Sequence, residues 1–325
     1  DGTLALANIE TGATVEYSVD GGTTWTGSFT AVEGANSVHI RQTDVAGNTS
    51  AVDILTFTLD TTIATPGVGL SNDTGSSNSD LITSDGTLTL TNIEVGATVE
   101  YSVDGGTTWT GSFTTVEGSN TVQVRQTDIG GNTSAVGTLT FTLDTTIATP
   151  GVSLSNDTGL SNSDLITTDG TLTLANLEAG ATVQYSVDGG TTWTGSFTAV
   201  EGANTVEVRQ TDVAGNVSAV GTLTFTLDTN APVAPGVSLT SDTGSSNSDL
   251  ITSDGTLTLA NIEAGATVEY SVDGGTTWTG SFTAVEGSNT VEVRQTDVAG
   301  NVSTVGTLTF TLDTGAPVAP GVSLS

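Results

Sequence analysis

The block DGTLALANIE at Asp1 returns as DGTLTLTNIE at Asp85, DGTLTLANLE at Asp169 and DGTLTLANIE at Asp254, at spacings of 84, 84 and 85 residues. A period this long exceeds that of solenoid repeats and matches one small domain per copy, so the chain reads as tandem domains rather than one large core. Each copy is near the lower size limit for a self-sufficient core, where disulfides or metals commonly supply the remainder. The chain has no cysteine, which removes disulfides and leaves metal.

In the copy from Ile63 to Thr146, apolar residues alternate with polar ones at period two. Val68 and Leu70, Leu88 and Leu90, Val99, Tyr101 and Val103, Val122 and Val124, and Leu139, Phe141 and Leu143 follow this pattern. That is the signature of half-buried strands, and no helical period of useful length is present. The intervening DTGSSNSD, EVGA, DGGTT, EGSN and DIGGN are turn sequences, because Gly, Asn, Asp and Ser supply positive φ and local hydrogen bonds. With short strands expected at Thr107–Trp109 and Ser112–Val116, the fold class is all-β: a tandem array of immunoglobulin-like β-sandwich domains, about seven strands each, forming an extended rod. At strand dimensions each domain is about 40 Å long and the array on the order of 160 Å.

The proline-bearing stretches DTTIATPG (144–151) and DTNAPVAPG (228–236) read as linkers, since proline cannot join a ladder and stiffens a connection. The expected boundaries are therefore 1–62, a domain lacking its first strand; 63–146, 147–230 and 231–314, three whole domains; and 315–325, the first strand of a further repeat. On this frame Gly321–Ser325 is expected to fill the open edge of residues 1–62 in a neighbouring molecule by strand addition. Partners are otherwise the neighbouring repeats of the same chain, in a monomeric rod.

Charge narrows the function. Thirty-six acidic residues face four arginines and no lysine, a net charge of −32. Nucleic acid and anionic membranes need clustered cations and are disfavoured as partners. No apolar run is long enough for direct membrane insertion. An excess of carboxylates strains a compact state unless cations neutralise it. Catalysis is also disfavoured: the chain lacks Cys and Lys and has a single, non-repeating histidine, His39, leaving little acid-base or nucleophilic chemistry. The chain reads as a non-enzyme.

Acids that change between copies, such as Glu100 against Gln184 and Asp53 against Gly137, mark solvated faces. Those that recur cluster in loops. If strands run from pole to pole, the loop between the first two strands (the AB loop) and the exit Asp144 share one pole. Asp128, in the turn before the last strand (the FG loop), and Glu94, in the next loop after AB (the BC loop), share the other. Stacking then brings Asp144 of one copy toward Glu178 and Asp212 of the next. Calcium takes six to eight oxygen ligands from such loops, and DTGSSNSD offers Asp73 and Asp80, an amide and carbonyls within eight residues. Asp104 in VDGGTT reads instead as a hairpin turn residue.

DTGSSNSDLITSDGTLTL, GATVEYSVDGGTTW, VRQTDVAGN and the TFTLDT exit together resemble the bacterial immunoglobulin-like repeats in extender regions of giant calcium-dependent adhesins, the RTX and biofilm-associated class. The resemblance covers the whole chain. It implies an extracellular protein of the bacterial cell surface, a spacer that projects a distal ligand-binding domain and is stiffened by Ca2+. Carried over by motif, it implies ligands at Asp73 and Asp80 (with Asp157, Asp164, Asp242 and Asp249), at Asp128 (with Asp44, Asp212 and Asp297) and at the exit Asp144 (with Asp60, Asp228 and Asp313). Glu94, Glu178 and Glu263 complete the expected metal set. The linker departs from the pattern at TNAPVAP, so the third junction is expected to differ. The competing reading is a carbohydrate-binding adhesin module, with Trp25, Trp109, Trp193 and Trp278 stacking on sugars. A tryptophan beside Phe113 in a sandwich is more often packing.

Overall fold

Alternation at period two drives each run into an extended strand with one wet face. The computed structural model describes residues 2–323, and these contain strands and no helix. The chain divides into two units, Asp1–Thr146 with Val213–Asn216, and Ile147–Asp212 with Val217–Ser325. Residues 2–62 contribute β1 (Thr14–Ser18), β2 (Gly34–Thr43) and β3 (Asp53–Leu59), in one sheet of order β1-β2-β3. The copy 63–146 has six strands: β4 (Gly67–Leu70), β5 (Ile82–Thr83), β6 (Leu88–Thr91), β7 (Thr98–Ser102), β8 (Gly118–Thr127) and β9 (Gly137–Leu143). They form a two-stranded sheet, β4-β6, and a four-stranded sheet, β5-β9-β8-β7. The set recurs as β10–β15 (Gly151–Leu154, Ile166–Thr167, Leu172–Ala175, Thr182–Ser186, Gly202–Thr211, Gly221–Leu227) and as β16–β21 (Gly236–Leu239, Ile251–Thr252, Leu257–Ala260, Thr267–Ser271, Gly287–Thr296, Gly306–Leu312).

The strand count is six rather than seven in each of the copies 63–146, 147–230 and 231–314. Thr107–Trp109 lies in a loop closed by the single bridge Tyr101↔Thr110. Ser112–Val116 forms no ladder because Val116 is already held: its amide donates to Asn120 Oδ1 (3.0 Å) and its carbonyl accepts from Asn120 Nδ2 (2.7 Å). The additional element, β5, pairs in parallel with β9. Of the C-terminal segment 315–325, residues 321–323 form no strand, and Leu324 and Ser325 lie outside the described residues.

The inner face of β8 reads Asn120, Val122, Val124, Gln126, all buried. In the copy 147–230, Val206, Val208 and Phe225 of the four-stranded sheet pack against Val152, Leu154, Leu172 and Leu174 of the two-stranded sheet, which makes a sandwich. Phe197 from the irregular segment wedges between Tyr185 and Phe225, at ring-centroid distances of 6.4 and 6.3 Å. Residues 2–62 lack the two-stranded sheet. Leu4–Ala7, the counterpart of β6, forms no strand without its partner, and Leu55 is 45% exposed.

The amides at the two ends of that inner face hold the irregular chain. Gln126 donates both Nε2 hydrogens, to Ala64 O and Asn92 O (2.8 Å each), and accepts from Glu94 N at 2.9 Å. Gln210 and Gln295 repeat this arrangement. Gln295→Ala strands two carbonyls and an amide in a cavity, so urea unfolding followed by tryptophan fluorescence is expected to show a loss of about 2–4 kcal/mol.

Candidate metal centre

The exit from β3 is fixed before any metal is considered. Thr61 donates its amide (3.1 Å) and hydroxyl (2.7 Å) to the Glu33 carboxylate, and these bonds, the hydroxyl first, hold Glu33 below the usual carboxylate range. Three residues on, Ala64 donates to Glu94 Oε1 (2.9 Å) and accepts from Gln126. The linker is thereby pinned to the copy that follows it. One consequence is that Asp60, Glu94 and Asp128 each place a carboxylate oxygen within 4.8 Å of the others. Two calcium ligands at 2.3–2.6 Å from one ion are at most about 5 Å apart, so the group fits a single ion. All three donors are carboxylates, the set preferred by a hard divalent cation rather than zinc.

Asp128 has a second task. Its Oδ1 accepts from Asn132 N and its Oδ2 from Asn132 Nδ2, both at 2.8 Å, which closes the TDIGGN turn. Asn132 Nδ2 also donates to the Asp60 carbonyl at 2.9 Å. The Asn132 side chain is the largest influence holding Asp128 below its ordinary pKa, partly opposed by desolvation. A carboxylate has about four acceptor positions, so the turn does not exhaust it.

The other acids from the sequence fall into distinct settings. Glu178 accepts from Ala148 N at 2.8 Å, as Glu94 does from Ala64, and Asp144, Glu178 and Asp212 are the counterparts of Asp60, Glu94 and Asp128 in sequence. At the third linker, Gln295 still reaches Val233 O (2.7 Å) and Asn301 still reaches Asp228 O (2.9 Å). Asp228, Glu263 and Asp297 nevertheless form no three-acid group among the described residues; this linker is one residue longer and carries an extra proline. Asp44 closes its turn on Asn48, and Asp313 accepts from Gly315 N at 3.0 Å.

The AB loops hold a different feature. Asp73 Oδ2 accepts from Leu81 N at 3.0 Å, whereas Oδ1 is buried with no partner. Asp157 and Asp242 repeat both the bond, to Leu165 and Leu250, and the orphaned oxygen. Exposed Asp80 accepts from the amide two residues on, Ile82 N, at 3.1 Å, as Asp164 and Asp249 do from Ile166 and Ile251. Leu81, Leu165 and Leu250 sit at φ of 61°, 61° and 60°, an uncommon and costly backbone for a bulky residue. A buried anionic oxygen with no donor is costly, and a cation removes that cost.

In the second unit, the AB loop of one copy is clamped to the FG turn of the next. Thr158 Oγ1 donates to Ala299 O (2.8 Å) and Leu160 N to Val298 O (3.2 Å). Gly159, at φ +96°, is required here, since a Cβ would lie 2.0 Å from the Val298 carbonyl oxygen. The hydrogen-bonding roles of Gln126, Asn120 and Asn132 escaped the sequence reading, although RQTD and GN recur in every copy.

Asp104 is saturated by the hydroxyls of Ser102 and Thr108 and the amides of Thr107 and Thr108, at 2.6–2.9 Å. It is a turn residue with little capacity for a metal. The tryptophans are also engaged. Each indole N–H donates to a glycine carbonyl at 3.0–3.1 Å, and each ring carries an arginine guanidinium 3.9–4.1 Å from its centroid. Glu16, Glu100 and Glu269 hold three of those arginines, and Gln184 holds the fourth.

No protein family and no curated protein matches the chain. Solved structures similar to it include one from work on host cell surface retention of a 1.5-MDa bacterial ice-binding adhesin, 18% identical over 86% of this chain and 91% of that one, with a TM-score of 0.26. Another is SGBP-B of the Bacteroides ovatus mixed-linkage glucan utilization locus with a mixed-linkage heptasaccharide, 14% identical over 76% of this chain and 70% of that one, with a TM-score of 0.15. Overlays this loose carry no argument about function. Among the described residues no helix is long and apolar enough to cross a membrane.

The turn carboxylates predict a pH response. Thr hydroxyls first, then Thr amides and Ser hydroxyls, hold Asp20 and Asp104 well below the usual range and bring Asp188 and Asp273 to about 2. A depressed folded-state pKa gives stability that is present above the unfolded value, about 4, and is lost as pH falls through the folded one. With chelator present, the melting temperature is expected to be level above about pH 5 and to fall from about pH 4 downward, with Asp273→Ala shallowing the fall.

Proposed function

We propose that the chain is a spacer of a bacterial cell-surface adhesin, a non-catalytic extracellular array of sandwich domains whose junctions are stiffened by Ca2+, holding a distal ligand-binding domain away from the cell. The observation that carries this reading is the origin of the acid trio: Asp60 leaves one copy, whereas Glu94 and Asp128 belong to turns of the next. An ion held by all three joins two copies and resists bending between them. The orphaned oxygens of Asp73, Asp157 and Asp242 support a second cation position per copy. Calcium is the ion that fits a carboxylate set on loops, and extracellular modules bind it at about 0.1–1 mM. Neutralising part of the −32 charge would also relieve self-repulsion along the chain.

The carbohydrate-binding alternative loses its main contact, since each indole has its N–H bonded and one face covered by arginine. The resemblance of the repeated motifs to adhesin extenders supplies the surface location and the calcium-dependent, rod-like character.

Small-angle scattering and thermal melting with calcium and then with chelator test the reading. Calcium is expected to increase the maximum dimension and the melting temperature, with the transition at about 0.1–1 mM. Glu94→Gln keeps the oxygen that accepts from Ala64 but removes a ligand charge, so it is expected to weaken calcium binding without altering the calcium-free melting temperature. Identical scattering and melting in calcium and chelator would remove the spacer-stiffening account.

A further inference from the structure

The DGT block that marks every copy has no part in the acid trios. Asp85 is anchored through its amide, which donates to the hydroxyl of fully buried Thr83 at 3.0 Å. Its carboxylate is only half used. Oδ1 accepts from the Thr87 hydroxyl (2.6 Å) and amide (3.0 Å), whereas Oδ2 has no donor among the described residues. Asp169 and Asp254 repeat these bonds with Thr171 and Thr256. The threonine hydroxyl first, then its amide, holds all three carboxyls below the usual range, so the second oxygen is a charged acceptor.

Each of these carboxylates lines a cleft of its own copy, of about 700, 530 and 570 Å³ for Asp85, Asp169 and Asp254. Clefts that hold small molecules span roughly 300–1,000 Å³. The next residue must be glycine for the walls to meet: a Cβ at Gly86, Gly170 or Gly255 would lie 2.4–2.5 Å from the side chain of Thr115, Ala199 or Ala284. The cleft also holds an aromatic pair. Tyr101 and Phe113 line it with ring centroids 6.4 Å apart and planes 23° apart, and Phe113 meets buried Phe141 edge-on at 6.5 Å. Tyr185 with Phe197 and Tyr270 with Phe282 repeat the pair. The hydroxyls of these tyrosines, and those of Thr114, Thr198 and Thr283 in the same clefts, have no hydrogen-bond partner among the described residues.

An ionised acceptor, unused hydroxyls and aromatic surface, with no cationic side chain in the lining, suit one chemistry. A pyranose ring has C–H groups on its faces, which pack on aromatic surface, and hydroxyls around its edge, which donate strongly to a carboxylate. An acidic sugar would be repelled by that carboxylate and by the net charge of −32. We propose that these clefts bind neutral hexose chains, with the free oxygen of Asp85, Asp169 and Asp254 accepting from sugar hydroxyls and Tyr101, Tyr185 and Tyr270 contacting the sugar ring. Repetition adds avidity, because several weak clefts on one chain hold a long glycan more tightly than any one of them. The tryptophans and the acid trios take no part, so the proposal goes beyond the spacer reading and needs no calcium.

The chain has four tyrosines, one per copy, each lining such a cleft, so fluorine NMR of the whole protein labelled with 3-fluorotyrosine reads every cleft separately. Cellohexaose, maltohexaose and mannohexaose are titrated in calcium and in chelator. At least one is expected to shift the tyrosine signals with half-saturation on the order of 1 mM, alike in both buffers. Asp254→Asn, which keeps an oxygen for Thr256 but loses the charged acceptor, is expected to weaken the response of the Tyr270 signal about fivefold or more in a protein that melts as wild type does. The other three signals should respond unchanged, and Asp169→Asn should do the same to Tyr185 alone. If no sugar moves a tyrosine signal at about 20 mM, if only a lysine-rich peptide does so, or if the aspartate variants respond as wild type does, the proposal is wrong.

Discussion

The buried glutamine of the VRQTD motif is the interaction on which each whole copy depends. Gln126 ends the inner face of the central strand, and its amide is consumed by the incoming linker and the turn that carries Glu94. At the opposite end, Asn120 captures both polar groups of Val116 and steadies the irregular segment. The sandwich core between the corresponding Asn204 and Gln210 is small: Val206, Val208 and Phe225 at its centre, ringed by partly buried aliphatic and aromatic side chains. A core of this size gains specificity from fully satisfied amides at its edges, because a buried amide with any partner missing costs more than it contributes. The same amide decides where the linker lies, and hence which carboxylates meet.

The carboxylates divide by how far their hydrogen-bonding capacity is used. Asp104 and its counterparts are spent on turn amides and hydroxyls. Asp128 is partly spent, closing a turn while facing Asp60 and Glu94. Asp73 keeps one buried oxygen with no donor at all. Local hydrogen bonds thus account for the first class without an ion, and the need for a cation rises along the series. Hydrogen bonds also join neighbouring copies, from Asn132 to the Asp60 carbonyl and from Thr158 to the Ala299 carbonyl. On the proposed account a cation would add to the contacts that these hydrogen bonds make.

Much of this was legible in the sequence, for definite reasons. The repeat and the period-two runs TVEYS, TVQVRQ and TLTFTL located β7, β8 and β9. The segment Ser112–Val116 misled because its alternation is real, yet Asn120 takes the polar groups that a ladder needs. Strand β5 is two residues long and pairs in parallel, too short for periodicity to register. Loop acids stood out, but whether one was saturated, as Asp104 is, or left with an orphaned oxygen, as Asp73 is, depends on geometry. The extra linker residue marked the third junction as different in the sequence; that Asp228, Glu263 and Asp297 form no three-acid group among the described residues while the Gln295 anchor persists is a matter of geometry.

The central claim is that one cation bridges two copies through Asp60, Glu94 and Asp128. Anomalous X-ray diffraction from crystals grown in calcium tests it most directly. The account predicts an anomalous peak within ligand distance, about 2.3–2.6 Å, of a carboxylate oxygen from each of the three residues. No anomalous peak there, with the three carboxylates turned apart into solvent, would contradict it.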